Sequence, residues 1–227
     1  MVDVAIIVAA GSGSRMKSSK NKLLLPLGGK TVIERTVKTF EDIPQIGEII
    51  VVCREEELET MSSILPGEKI TFVIGGKTRQ ESVKNAVETI DPDECETVII
   101  HDGARPLVTK EEILETLEEA KRTGAAATGV FVKDTIKVIN DDYVITDTPD
   151  RTKLVAIHTP QIFNLKLYLK AMEKAAMQKK DFTDDCKLLE NIGVPVSVVI
   201  GEYGNIKITT PEDIPMAQAI LEERGDE

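Results

Sequence analysis

The stretch Val4–Leu25, VAIIVAAGSGSRMKSSKNKLLL, decides how the chain is read. Its first five residues, Val4 to Val8, carry no polar side chain, as in a strand buried on both faces. The run breaks at Ala9-Ala10-Gly11-Ser12-Gly13-Ser14, and Arg15, Lys17, Lys20 and Lys22 follow. A buried strand that empties into a small-residue loop and then four cations suggests a phosphate cradle. Small residues let backbone N–H groups approach an anion, and the cations neutralise it. A tight surface loop beside a basic patch is the competing reading. Two better-known glycine loops do not fit. The P-loop spacing G-x-x-x-x-G-K-[ST] does not occur, and a dinucleotide fingerprint needs a small residue where Met16 stands.

Outward from this stretch, buried runs alternate with amphipathic ones. Strands are expected at Glu48–Cys53, Lys69–Ile74, Thr97–His101 and Ala125–Val132. Helices are expected from Thr31, at 55–65, from Arg79 to Ile90 and from Thr109 to Arg122; Thr31/Glu34 and Thr109/Glu112 have capping-box spacing. The order implies an α/β fold: a Rossmann-like, mostly parallel sheet with helices on both faces. Lys133–Val138, Asn140-Asp141-Asp142 and Tyr143–Thr148 then read as a polar hairpin, an arm at about 133–150 too thin to bury a core. Leu154–His158 returns to the sheet. Helices follow at about 165–177 and 183–191, a strand at 196–200, a short extended piece at Asn205–Ile208, and a last helix from Pro211. The whole chain, 1–227, reads as one domain carrying an arm.

Bulk properties narrow the function. A net charge of −11 over 227 residues argues against nucleic acid as a partner, so the cations that matter are concentrated locally. Cys53, Cys95 and Cys186 are scattered and odd in number, which fits neither a disulfide framework nor a metal cluster and suits a reducing cytosol. The sequence opens directly on a strand without the features of a signal peptide, and no apolar run approaches the ~18 residues of a membrane span. A cytoplasmic location and no membrane contact are expected.

Ligands of open α/β sheets gather beyond the carboxyl ends of the strands. Four charged clusters fall there: the Gly11–Lys22 loop, Gly75–Ser82, His101–Pro106 and Asn205-Ile206-Lys207. Asp102, just past a buried strand and beside Gly103, is suited to hold Mg²⁺ against phosphate oxygens; a helix cap or an ion pair with Arg105 would explain it structurally. His101 and His158 read as structural, and Asp184-Asp185 as acidic residues of a first helical turn. There is no nucleophile elbow and no cysteine with a basic partner. A site rich in cations and poor in bases suits transfer between phosphates, because a substrate phosphate is already ionised at pH 7.

These blocks come in a distinctive order: Ala9-Ala10-Gly11-Ser12-Gly13-Ser14-Arg15-Met16 with Lys22, Gly75-Gly76 through Arg79 and Ser82-Val83, His101–Pro106, Thr159-Pro160-Gln161, and Asn205–Thr209 with Pro211-Glu212-Asp213. Together they resemble the 2-C-methyl-D-erythritol 4-phosphate cytidylyltransferases of isoprenoid precursor biosynthesis. The resemblance implies that CTP binds with Mg²⁺, that the phosphate of methylerythritol phosphate attacks the α-phosphorus, and that pyrophosphate leaves. It implies Arg15 and Lys22 at the transition state. Ala9, Ala10, Gly11, Gly13, Gly76, Lys77 and Ser82 would lie at the nucleotide, and Asp102 at the metal. Arg105, Thr135, Arg151, Thr159 and Lys207 would lie at the substrate, with Arg151 and Lys207 orienting the attacking phosphate. It also implies a homodimer in which the arm crosses to the partner. Many relatives carry an aspartate where Gly204 stands. A ribitol 5-phosphate cytidylyltransferase shares these blocks, and a nucleotide-binding module without turnover is the reading from another class. A dinucleotide oxidoreductase is disfavoured by Met16.

Overall fold

The computed structural model describes residues 1–11 and 21–225. Its centre is a seven-stranded sheet. In chain order the strands are β1 (Val2–Val8), β4 (Ile46–Cys53), β5 (Ile70–Ile74), β6 (Cys95–Asp102), β7 (Ala125–Phe131), β10 (Val155–Asn164) and β11 (Ser197–Ile200). The short pairs β2 (Pro26–Leu27) with β3 (Lys30–Thr31), and β8 (Val138–Ile139) with β9 (Ile145–Asp147), form separate two-stranded ladders. Across the large sheet the order is β11-β7-β10-β6-β1-β4-β5. Every neighbouring pair is parallel except the two that β10 makes, with β6 and with β7.

The uninterrupted apolar runs follow from burial on both faces. In β1, Ala5 and Ile7 join one hydrophobic cluster, while Val4 and Ile6 join the other. The helices α1 (Val32–Glu41), α2 (Leu58–Ile64), α4 (Lys110–Thr123) and α7 (Asp213–Arg224) cover the first face. The second is covered by α3 (Arg79–Val87), α5 (Leu165–Gln178) and α6 (Asp185–Glu190). Both expected capping boxes form, at Thr31/Glu34 and Thr109/Glu112. Among the described residues no helix is long and apolar enough to cross a membrane.

Some boundaries differ from the sequence reading. Residues 55–57 form a separate 3-10 turn ahead of α2. The returning strand runs on past His158 to Asn164, with its register broken between Ile157 and Gln161. Residues 205–208 form no strand. The last helix begins at Asp213, not Pro211, because the Asp213 carboxylate accepts the N–H groups of Thr209 and Thr210 and holds the preceding residues in a turn. The arm pairs only through β8 and β9, and its Ile139, Tyr143, Val144 and Ile145 are exposed.

Candidate active site

The carboxyl ends of β1, β5 and β6 converge on a cleft of about 410 Å³. Backbone bonds tie the loops together there: Ala9 N–H donates to Val52, Gly75 N–H to Cys53 and Gly103 N–H to Val8. Two glycines make the approach possible. A Cβ at Gly75 would lie 2.5 Å from the Ala10 Cβ, and one at Gly103 would lie 3.2 Å from the Val8 carbonyl oxygen. Ala9, Ala10, Gly11, Lys22, Gly76, Lys77, Ser82, Asp102 and Lys207 of the expected set all line this cleft. Gly13 and Arg15 lie outside the described residues.

Ser82 is buried; its hydroxyl donates to the Thr78 carbonyl and accepts the Gly76 N–H at 3.1 Å, which fixes the second glycine loop. Lys22 Nζ donates to the Ile208 carbonyl at 2.7 Å and so joins the first loop to the segment that carries Lys207. Asp102, 8% exposed, ends β6. Its Oδ2 lies 2.8 Å from Lys207 Nζ and 3.5 Å from Arg105 Nε; its Oδ1 lies 3.9 Å from Arg79 Nε. Burial alone would raise the Asp102 pKa, but Lys207, Arg79 and Arg105 outweigh it and hold the carboxyl at about 2. The ion pair with Arg105 is therefore present, and it is one of three around a carboxylate that caps no helix.

Behind Asp102 the polar groups are used up internally. The Asp102 N–H donates to Thr159 Oγ1 at 3.0 Å, and Thr159 Oγ1 lies 3.0 Å from His101 Nδ1. His101 Nε2 faces the Arg105 carbonyl at 3.2 Å, which can only accept, so Nε2 carries the proton and the Thr159 hydroxyl donates to Nδ1. Burial pushes the His101 pKa down to about 3, which keeps the ring neutral. The structural reading of His101 fits this geometry. Thr159 and Arg105 are buried, and Arg105 Nη1 donates to the Asn205 carbonyl at 2.7 Å. Within this one chain both residues meet the cleft through Asp102 and do not line it. Thr135 is exposed on the arm. Arg151 stands at the arm's base, where its Nη1 donates to the Lys133 carbonyl. Within this one chain neither lines the cleft. At Gly204 a Cβ would meet Arg224 Nη2, so that position faces α7, and Arg224 pairs with Glu202 at 2.6 Å instead.

Two residues were given no role in the site by the sequence reading. Arg79, at the start of α3, lines the cleft and pairs with Asp185 at 2.5 Å. Asp184 proves to be the helix cap, accepting the Lys187 N–H, where the sequence placed it inside the first turn; Asp185 beside it is buried and binds Arg79 and the Tyr168 hydroxyl. The only available signal was a second acidic residue after a cap already supplied.

Lys22, Lys77, Arg79 and Lys207 line the cleft with Asp102, so the site is cationic within an acidic protein. Among the described residues no cluster of three or more His, Cys, Asp or Glu side chains is placed to hold a metal by itself. A lone carboxylate in a cationic cleft fits Mg²⁺ shared with substrate phosphates, since Mg²⁺ commonly takes one or two carboxylates and keeps its remaining positions for phosphate and water.

Comparison with known proteins gives one answer. The family described as IspD, 2-C-methyl-D-erythritol 4-phosphate cytidylyltransferase, matches residues 3–223. The enzyme of that name from Caldanaerobacter subterraneus subsp. tengcongensis is 48% identical over 222 residues, covering 96% of this chain and 97% of the relative. The one from Desulforamulus reducens is 47% identical, covering 98% and 97%. The crystal structure of 4-diphosphocytidyl-2C-methyl-D-erythritol synthase from Anaerococcus prevotii superimposes with a TM-score of 0.88 at 38% identity, covering 97% of this chain and 98% of that one.

Proposed function

The chain belongs to the 2-C-methyl-D-erythritol 4-phosphate cytidylyltransferase family, and on that premise we propose that the cleft around Asp102 is where CMP passes from CTP to 2-C-methyl-D-erythritol 4-phosphate. The observation that carries this assignment is a buried carboxylate at a strand end, ringed by Lys207, Arg105 and Arg79 at the mouth of a small-residue loop. An ionised phosphate oxygen of the acceptor attacks the α-phosphorus of CTP. A new P–O bond forms, the α–β phosphoanhydride bond breaks, and pyrophosphate carries away the electron pair. No general base is required. His101, buried, neutral and bonded at both ring nitrogens, does not supply one.

The chain's own groups position and neutralise. Ala10 and Gly11 offer backbone N–H groups to the triphosphate beside Ala9, with Gly13 assigned to the same loop by the resemblance alone, while Gly76, Lys77 and Ser82 line the nucleoside end. Arg15 and Lys22 stabilise charge on the reacting phosphorus, which acts on rate more than on ground-state affinity. Lys207 and Arg151 orient the acceptor phosphate. Arg105 and Thr159 support Asp102 from behind. Asp102 would hold Mg²⁺, which would neutralise phosphate charge.

Arg151 and Thr135 enter the site only from a second copy of the chain. We propose a homodimer in which the arm crosses to the partner's cleft. Two strands alone are marginally stable in water, and the arm leaves Ile139 half exposed and Tyr143 84% exposed. The proposed location is the cytoplasm, in keeping with three free, buried cysteines.

The test is pyrophosphate release from purified protein with CTP, Mg²⁺ and methylerythritol phosphate, with ribitol 5-phosphate in parallel. Release with the first acceptor alone is expected. Release with ribitol phosphate alone would move the substrate, and CTP binding without any release would leave a nucleotide-binding module.

A further inference from the structure

Asp185 takes no part in capping its own helix and has no place among the residues that line the cleft, yet it is 3% exposed and charged. It is held from three sides. The Tyr168 hydroxyl of α5 donates to Oδ1 at 2.6 Å, Arg79 Nη1 donates to Oδ2 at 2.5 Å, and its own N–H donates to Gln161 Oε1 of β10 at 3.1 Å. Tyr168 is itself fixed, stacked on Phe163 with centroids 5.5 Å apart. A carboxylate buried in this way is costly unless it has a charged partner, and Arg79 is that partner.

Arg79 stands between two carboxylates that it serves unequally. Asp185 receives a direct charge-assisted bond, whereas Asp102 Oδ1 is 3.9 Å from Nε, beyond hydrogen-bonding distance. The other oxygen of Asp102 is occupied by Lys207 at 2.8 Å and approached by Arg105 at 3.5 Å. Oδ1 is thus the less encumbered oxygen of the residue that would hold the metal, and it stays so because the nearest guanidinium is drawn the other way. We propose that Asp185 is a positioning residue: it holds Arg79 away from Asp102 and keeps Oδ1 open toward the cleft. Without the Asp185 charge, a guanidinium with little solvent around it would close on Oδ1 and take the place of a divalent cation. This inference rests on the reading of the cleft as the CTP and metal site.

The experiment measures Mn²⁺ binding, by electron paramagnetic resonance of the free ion, to dimeric protein in the presence and absence of CTP. CTP affinity without metal is measured alongside by calorimetry. In Asp185→Asn, Mn²⁺ affinity in the presence of CTP is expected to fall about tenfold or more, in the range typical of groups that orient metal ligands, with a smaller change in metal-free CTP affinity. The double variant Arg79→Gln/Asp185→Asn is expected to recover most of the loss. A merely structural role for Asp185 gives no such recovery. A double variant as weak as Asp185→Asn, or unchanged Mn²⁺ binding in Asp185→Asn, overturns the proposal. If Asp185→Asn does not fold, Asp185→Glu keeps the charge but pushes the guanidinium one methylene toward Asp102. It is expected to show a smaller loss, relieved again by Arg79→Gln, and absence of that relief is equally fatal. Failure of the wild-type protein to bind Mn²⁺ with CTP would instead refute the underlying assignment of the cleft.

Discussion

Replacing Lys207 by Met removes an ammonium and keeps an apolar stem, so it isolates the charge that sits 2.8 Å from Asp102. Asp102 titrates at about 2 in the folded protein, against 3.8 for an unperturbed aspartate. A depressed carboxyl stabilises the fold above its unfolded pKa and loses that contribution as pH falls through the folded value; here the difference corresponds to roughly 2 kcal/mol. Lys207 is the nearest of three cations, but its side chain is 38% exposed and Arg105 and Arg79 remain, so the expected cost of Lys207→Met at pH 7 is about 1–2 kcal/mol. The cost must depend on pH in a defined direction. Once Asp102 is protonated in both proteins, the lost ion pair no longer matters. His101, whose pKa burial lowers most and Lys207 lowers further, shifts the balance the same way. Urea unfolding of both proteins from pH 8 to pH 2 checks this. The stability difference should be flat down to about pH 4 and shrink from there as pH falls toward the Asp102 value of about 2. A difference that holds constant, or widens in acid, would refute the view that Lys207 acts on a buried, ionised Asp102.

On the transition-state role proposed for Lys22, Lys22→Ala should lower kcat/KM by about 10²–10³ while CTP affinity changes much less, measured by steady-state kinetics beside calorimetry. Gly75→Ala forces a methyl group within 2.5 Å of Ala10 and 2.9 Å of Ser82 Oγ; it should destabilise by about 1–3 kcal/mol and raise KM for CTP, seen in thermal melts and initial rates. Thr159→Val strands the Asp102 N–H and His101 Nδ1 and should cost about 1–3 kcal/mol in chemical unfolding, with little direct loss of acceptor affinity. Ile139→Lys with Ile145→Lys charges two exposed apolar positions of the arm; if the proposed dimer forms through the arm, the variant should sediment as a monomer in sedimentation velocity beside a dimeric wild type, with loss of turnover.

What could be read from the sequence was whatever local pattern dictates. Val4–Val8, Glu48–Cys53 and Thr97–His101 are apolar because both sheet faces are covered, and that pattern needs no partner to be recognised. The clusters at their ends followed from the topology of parallel strands. The direction and length of β10 did not, because His158, Thr159 and Gln161 interrupt its apolar pattern. Thr159 and Gln161 are accommodated by bonds to Asp102, His101 and Asp185, whose partners are 24 to 58 residues distant. The contact between Arg79 and Asp185 was hidden for the same reason: they are 106 residues apart, and nothing local pairs the one with the other. The buried state of Arg105 and Thr159 is likewise a matter of packing that motif order does not carry.

The single reversed strand has a bearing on how the chain is made. Strands β5, β4, β1 and β6 form one block and β7 with β11 another, and β10 alone joins them. Its contact with the first block is four residue pairs, Gln161–Asn164 against Thr97–Ile100. During synthesis the first block is complete well before β10 emerges, and until then β6 presents an unpaired edge of buried-type residues, a template for pairing with other chains. The last strand to seal the sheet also supplies Thr159 and Gln161, the supports of Asp102 and Asp185. Closure of the seam thus sets the supports of Asp102 in place, while Asp185 and Lys207, which follow β10 in the chain, complete the cleft only afterwards.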